Sequence, residues 1–218
     1  KRTEVGRQFY KAIDDLHEFS TNIINIRKEE LLADPEKLES LAQSEDSLTY
    51  SKKPFLDILL VEHLKRGTIS TVEIREEVDT FIAAGHETTA VTLLWALHFI
   101  GYFPEVQRRL QEEIDRCVDK DGSAVSEEQL KELTYLDMVL KESQRLRPTV
   151  PFFGRWITEE IQIEGKPVPA GSEVLVNSHA LHRSPDVFPK PEEFDPERFS
   201  IENSRHRSPF GYVPFSAG

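Results

Sequence analysis

Cysteine is nearly absent. The single one, Cys117, excludes a disulfide framework and any multi-cysteine metal site within these 218 residues. Positive charge is also scarce: 27 Lys and Arg stand against 39 Asp and Glu, a net charge of −12. That balance argues against nucleic acid or an anionic membrane surface as a direct partner. Long apolar runs are missing too. The stretch from Thr88 to Phe103 falls short of the ~20 residues a membrane helix needs, and His86, Glu87 and His98 intrude. No signal peptide opens the chain; Lys1 begins a charged helical run, so the sequence reads as an excerpt of a longer protein. Proline is sparse early, with ten of the thirteen at or after Pro148. The chain therefore divides into a helical part, 1–147, and a part of hairpins, meander and loops, 148–218. The length suits one large or two small domains.

What is present centres on residues 71–103. Ser70 and Glu73 form a capping-box start, and Pro104 is suited to begin the next helix. Past Glu77 the run is apolar on nearly every side, which predicts a long helix buried all round. At about 1.5 Å per residue it would span about 50 Å. Its middle, Ala84-Gly85-His86-Glu87-Thr88-Thr89, breaks that pattern with a helix-weakening glycine, an acid and two threonines. A polar break in a buried helix is costly unless something uses it. A zinc-protease helix is excluded, because Ala90 stands where the second histidine of H-E-x-x-H belongs. The structural alternative is a core helix whose threonines bond back to carbonyls one turn earlier.

Around it, 4–32 predicts one amphipathic helix, with Phe9, Ile13, Leu16, Phe19, Ile23, Ile26 and Leu31 on its apolar stripe. Residues 33–53 predict a solvated loop with a short helical turn. Pro54 then starts a helix that Gly67 ends. In the helix 104–118, Val106, Leu110 and Ile114 are expected inward and Arg108, Arg109, Glu112 and Glu113 in water. Ser126 with Gln129 predicts a cap, as does Thr134 with Asp137. In the apolar helix that follows, Glu142 and Arg145 share one face at i, i+3. A buried pair persists only with further hydrogen bonds, so a third partner is expected downstream. Strands are predicted at 150–158, at 161–163 paired with 167–168 through Glu164-Gly165, and at 173–177. Arg198 follows Pro196 between Phe194 and Phe199.

These residues carry a resemblance to the cytochrome P-450 superfamily. Ala84 to Thr89 resembles its distal-helix motif (A/G)-G-x-(D/E)-T-(T/S), and Glu142-Ser143-Gln144-Arg145 its E-x-x-R helix. Phe194 to Phe199 resembles the P-E-R-F loop, and Pro214-Phe215-Ser216-Ala217-Gly218 the opening of the heme-binding loop F-x-x-G-x-R-x-C-x-G. E-x-x-R alone carries almost no information; four motifs in family order do. The details are most similar to the animal family-4 type, which includes fatty-acid ω-hydroxylases.

The resemblance implies a mainly α fold with a small β part, a partial single P-450 domain running from the G-helix region to the heme-binding loop. It implies heme b, O2, a lipophilic small-molecule substrate and electrons from NADPH through an NADPH-cytochrome P-450 reductase. It places the parent on the cytosolic face of the endoplasmic reticulum membrane, anchored by sequence outside this chain. By the same resemblance, Ala84 and Gly85 pass over the heme, and Glu87 and Thr88 relay protons to dioxygen. Arg155 pairs with a heme propionate, and Pro214, Phe215 and Gly218 belong to the heme loop. Glu142, Arg145 and Arg198 form a buried structural network. Two departures stand out. The thiolate ligand is expected just beyond Gly218, so this stretch by itself is expected to be inactive, and Cys117 does not substitute. Ala84 stands where many family-4 enzymes carry a glutamate that bonds to heme, so non-covalent heme is expected. The competing reading is a truncated, non-catalytic binding or scaffold protein.

Overall fold

The Thr3 hydroxyl accepts the Gly6 N–H at 3.1 Å and starts helix α1, Glu4–Ala33. The computed structural model describes residues 3–43, 53–119 and 124–217. The chain is mainly α with a small β part, as its pattern implies, and forms two compact units, 1–86 and 87–218.

In the first unit, α1 is followed by α2, Pro35–Gln43, and α3, Phe55–Val61. A π-helical turn, Glu62–Arg66, continues α3 until Gly67 ends it at φ 63°, a conformation glycine adopts without strain. Ser70 and Glu73 then exchange both bonds of a capping box and open α4, Thr71–Tyr102. Ile24, Leu31, Leu38, Leu60, Val61, Ile74 and Val78 form the core of this unit. Arg27 forks onto the buried Asp57 carboxylate, both bonds at 2.7 Å.

Two expectations are corrected here. On α1 the buried face carries Ser20, Ile24 and Leu31, while Phe9, Phe19, Ile23 and Ile26 are exposed. The apolar residues surround more of the helix than its neighbours cover, so spacing alone did not select the buried row. The expected loop at 33–53 contains a nine-residue helix instead, because Leu38 finds a place in the core; residues 44–52 lie outside the described residues.

The second unit takes up α4 from Glu87. Pro104 occupies the first turn of α5, Pro104–Cys117, where its missing N–H costs nothing. Helix α6, Glu127–Glu132, has the full Ser126/Gln129 capping box, and α7 is Thr134–Leu146. Val106, Leu110, Tyr135 and Val139 make the core between α5 and α7, and the Phe103 and Phe194 rings stack beside it at 5.0 Å.

Glu113 on α5 was expected in water and is buried instead. Its carboxylate accepts the Tyr135 N–H at 2.7 Å and the Leu136 N–H at 2.9 Å, capping α7 from another helix. The expected Thr134/Asp137 cap is thereby replaced; Leu133 is the N-cap and its side chain caps nothing. Ile114, expected inward, is 40 % exposed.

Strands β1, Phe153–Trp156, and β4, Glu173–Val176, pair antiparallel, as do β2, Ile161–Ile163, and β3, Lys166–Val168. Glu164 and Gly165, at φ 48° and 73°, make the tight hairpin turn. Strand β1 is shorter than expected, because Pro148 and Pro151 offer no ladder N–H before it. Asn177 leaves β4 to cap α8, Ser178–Leu181. A 3-10 turn at Pro196–Phe199, helix α9 at Ile201–Ser204 and a 3-10 turn at Pro209–Gly211 complete the meander.

The largest correction concerns α4. It was expected to be buried all round, yet Phe81, Leu93, Leu94 and Leu97 are 52–67 % exposed. Among the described residues of the second unit, only the flank with Ala96, Ile100 and Phe103 is covered. Apolar composition shows what a helix face suits; burial needs a partner on that face.

Candidate functional site

Helix α7 places Glu142 and Arg145 one turn apart on its buried side, and neither is exposed at all. The guanidinium meets the carboxylate as a fork, with Nε to Oε2 at 2.7 Å and Nη2 to Oε1 at 2.8 Å. Its remaining N–H groups donate to three carbonyls of the meander: His182 at 2.9 Å, Pro191 at 2.7 Å and Glu193 at 3.1 Å. Glu142 also accepts the Asp195 N–H at 2.8 Å. Arg198 is the third member, its Nε 3.5 Å from Glu142 Oε1. That contact is electrostatic, since this Nε has no hydrogen bond; the rest of the guanidinium donates to the carbonyls of Pro189 and Lys190. Burial pushes the Glu142 carboxyl up from its ordinary range, while Arg145, the Asp195 N–H and Arg198 pull against that. Four backbone groups of the meander, at His182, Pro191, Glu193 and Asp195, thus converge on one ion pair. Arginine suits this task because its five donors are fixed in a plane.

The chain then runs from this hub to the loop at its end. Val213 N–H donates to Nε2 of the buried His182 at 2.9 Å. The Tyr212 hydroxyl donates to the Lys141 carbonyl at 3.0 Å and lies 3.3 Å from Gln144 Oε1. Burial raises the Tyr212 phenol well above its usual range, so it stays protonated. His182 is held neutral, its value lowered to about 4 by burial and then by Arg145, Arg183 and His179.

Pro214 and Phe215 follow directly, and they wall a cavity of about 330 Å³. Thr88, Thr89, Thr92 and Leu93 of α4 form another wall, with Leu140 and Gln144 of α7 and the segment Pro148–Val150 closing the sides. Thr92, one turn beyond the Thr88/Thr89 pair, bonds back to the Thr88 carbonyl at 2.8 Å. The same hydroxyl lies 2.8 Å from Thr149 Oγ1, joining α4 to the wall after α7. Phe215 is 84 % exposed, a large apolar ring presented to an open slot. Arg155 on β1 donates to Ser216 Oγ at 2.7 Å and to the Ala217 carbonyl at 2.8 Å, and so already touches the end of this loop. Ser216 sits at φ 71°, where a non-glycine backbone is strained.

The site residues expected from sequence thus fall into groups. Glu142, Arg145 and Arg198 come together. Thr88 shares the slot with Pro214 and Phe215, and Arg155 reaches the same loop. Glu87 is exposed on α4 and does not line the slot; Ala84 and Gly85 are exposed on the part of α4 that belongs to the first unit. A side chain at Gly85 would meet open space, and Gly218 lies outside the described residues. Sequence reasoning missed Glu113, His182 and Tyr212. Nothing in their spacing marks them, since their partners are backbone groups 22, 31 and 71 residues away.

A largely apolar slot with threonine hydroxyls on one wall and an aromatic ring on another suits a large apolar planar group such as heme. Its lining holds no thiolate or imidazole. Cys117 is elsewhere, at the end of α5 with its sulfur 4.0 Å from the Glu132 carbonyl. Among the described residues no cluster of three or more His, Cys, Asp or Glu could hold a metal ion, and no helix is long and apolar enough to cross a membrane.

An apolar slot walled by the long helix α4 and by Pro214 and Phe215, beside an E-x-x-R helix bonded to the meander, is the arrangement that the family comparison then names. The cytochrome P450 family profile matches residues 1–218, and the chain belongs to that family. Cytochrome P450 4V2 of Mus musculus is 42 % identical over 214 residues, covering 98 % of this chain and 41 % of that protein. Cytochrome P450 4c3 of Drosophila melanogaster is also 42 % identical over 214 residues, covering 94 % of this chain and 40 % of that protein. In structure the chain is similar to a retinoic acid-bound cyanobacterial CYP120A1, with a TM-score of 0.74 and 28 % identity over 96 % of this chain and 44 % of that one. The chain spans about two fifths of the length of these curated relatives.

Proposed function

We propose that the whole protein is a heme-dependent monooxygenase that inserts one oxygen atom of O2 into a lipophilic substrate. The observation that carries this reading is the apolar slot in which Thr88 and Thr92 share a lining with Pro214 and Phe215. Family membership supports it. Heme b, when bound, supplies the oxygen-activating chemistry; its iron ligand would be a thiolate outside these 218 residues, and Ala84 offers no carboxylate for a covalent bond to the porphyrin.

Pro214 and Phe215 would hold the planar group from one wall of the slot, and the α4 threonines from another. Thr88 would supply a hydroxyl on the wall of the slot and Glu87, exposed beside it on α4, a carboxylate on the solvent side, a pair suited to hand protons from water to the site. Arg155, already beside Ser216, is placed to turn its guanidinium to a propionate. Glu142, Arg145 and Arg198 touch no substrate; they fix the meander from which the loop departs.

The finer reading, fatty-acid hydroxylation with electrons from NADPH through a P-450 reductase on the cytosolic face of the endoplasmic reticulum membrane, rests on the resemblance of the motifs to the animal family-4 type. The test is the ratio of oxygenated product to NADPH consumed in the full-length protein. Thr88→Ala and Glu87→Gln should each lower that ratio about tenfold or more while heme content stays unchanged. Wild-type coupling in both variants would refute the proton-delivery roles. A full-length protein that takes up no heme would leave the scaffold reading.

A further inference from the structure

His182 joins two structures through two different parts of itself. Its carbonyl accepts from Arg145 at the centre of the hub, and its ring accepts the Val213 N–H one residue before the slot. Because Nε2 is the acceptor, the neutral ring carries its proton on Nδ1. That Nδ1 is buried and has no hydrogen-bond partner in the protein. An apolar ring of similar size would avoid this orphaned donor, but it would leave the buried Val213 N–H unpaired instead. The imidazole therefore tolerates one unsatisfied group to satisfy another, and the satisfied one belongs to the loop.

Tyr212 adds a second fastening on the opposite side. Its hydroxyl is bonded to the Lys141 carbonyl on α7, beside Gln144, which itself lines the slot. Its ring lies 5.0 Å from the His182 ring and 4.7 Å from Phe199. Two consecutive residues are thus pinned in different directions, Tyr212 by its side chain and Val213 by its main chain. Beyond them the loop is held by its own Ser216 N–H, which donates to the Val213 carbonyl at 3.2 Å, and by the exposed Arg155.

We propose that His182 and Tyr212 are positioning residues: a two-point latch that transmits the rigidity of the Glu142/Arg145 hub to the Pro214–Ala217 loop and so fixes one wall of the slot. Its effect on heme retention rests on the monooxygenase reading; the latch itself does not. The experiment uses the full-length protein and three variants, His182→Phe, His182→Gln and Tyr212→Phe. Two quantities are read: hydrogen exchange of peptides covering 212–217 and covering α7, and the rate of heme loss to an acceptor protein.

In His182→Phe, exchange over 212–217 should rise about tenfold or more with α7 unchanged, and heme loss should accelerate by a similar factor. His182→Gln places an amide oxygen where Nε2 stood and should recover most of both. Tyr212→Phe should raise exchange selectively over 212–217 by a smaller factor. Wild-type exchange in a folded His182→Phe would overturn the latch. So would a rise spread equally over α7, or failure of glutamine to restore protection. If His182→Phe does not fold, a Tyr212→Phe protein without a selective rise overturns it equally. Faster exchange with unchanged heme loss would uphold the latch and count against the loop as a heme wall.

Discussion

Helices α7 and α4 of this chain stand in opposite circumstances. On α7, Glu142, Ser143 and Arg145 are buried together with Tyr135, Val139 and Leu146, and the ion pair is surrounded by backbone partners. On α4, Leu93, Leu94 and Leu97 are mostly exposed while Ala96 beside them is buried. Charge is inside on one helix and leucine is outside on the other. The difference shows that burial follows partners rather than polarity. Arg145 is affordable in the interior because each of its N–H directions meets an oxygen, whereas Leu93 only borders the open slot and Leu94 and Leu97 stay more than half exposed.

The sharpest break of this contrast is Arg145→Ala. It strands the buried Glu142 carboxylate and three carbonyls, so a loss of about 3–5 kcal/mol is expected, read by urea unfolding and by heme content of the full-length protein. Arg145→Lys should recover little, since a single ammonium cannot reproduce the fork. Arg198→Ala should cost less than Arg145→Ala, because Arg198 meets Glu142 without a hydrogen bond.

Acid should act next most strongly, through His182. Its folded value, about 4, lies below the ordinary 6.5. The neutral ring therefore contributes stability that is fully present above pH 6.5 and is lost as pH falls from there through about 4. Unfolding of the full-length protein across that window should show the loss. His182→Gln, which cannot titrate, should flatten that part of the profile; an identical pH dependence in the variant would remove His182 as its source.

Smaller again is Glu113→Ala, which uncaps α7 and should cost about 1–2 kcal/mol, with Glu113→Gln losing less. At the bottom of the scale, Leu97→Gln in chain 1–218 should change stability by less than about 0.5 kcal/mol. Leu110→Ala in the α5–α7 core should cost about 2–5 kcal/mol. Equal effects of the two leucines would erase the contrast between the helices.

The same contrast explains what could be read from sequence. Caps set by neighbours in sequence, Ser70/Glu73 and Ser126/Gln129, formed as their spacing implied, and so did the Glu164-Gly165 turn. The helices, the β2–β3 pairing and the Glu142/Arg145 contact are likewise local or strongly patterned, whereas the pairing of β1 with β4, which sets Phe153 against Val176, was not legible. Glu113 shows where legibility stops. On α5 it looks like a solvent-facing acid, and only the approach of α7, twenty-two residues on, gives it two N–H groups to accept. His182 and Tyr212 are hidden for the same reason, because their partners are main-chain groups that every residue possesses. The row actually buried on α1, and the open face of α4, depend on which neighbours arrive.

The most direct measurement is the visible spectrum of the purified full-length protein, reduced and under carbon monoxide. A stoichiometric heme with the red-shifted Soret band of a thiolate-ligated carbonyl complex is expected, weakened in Arg145→Ala. A folded protein without heme, or one whose heme lacks the thiolate signature, would contradict the assignment of the slot.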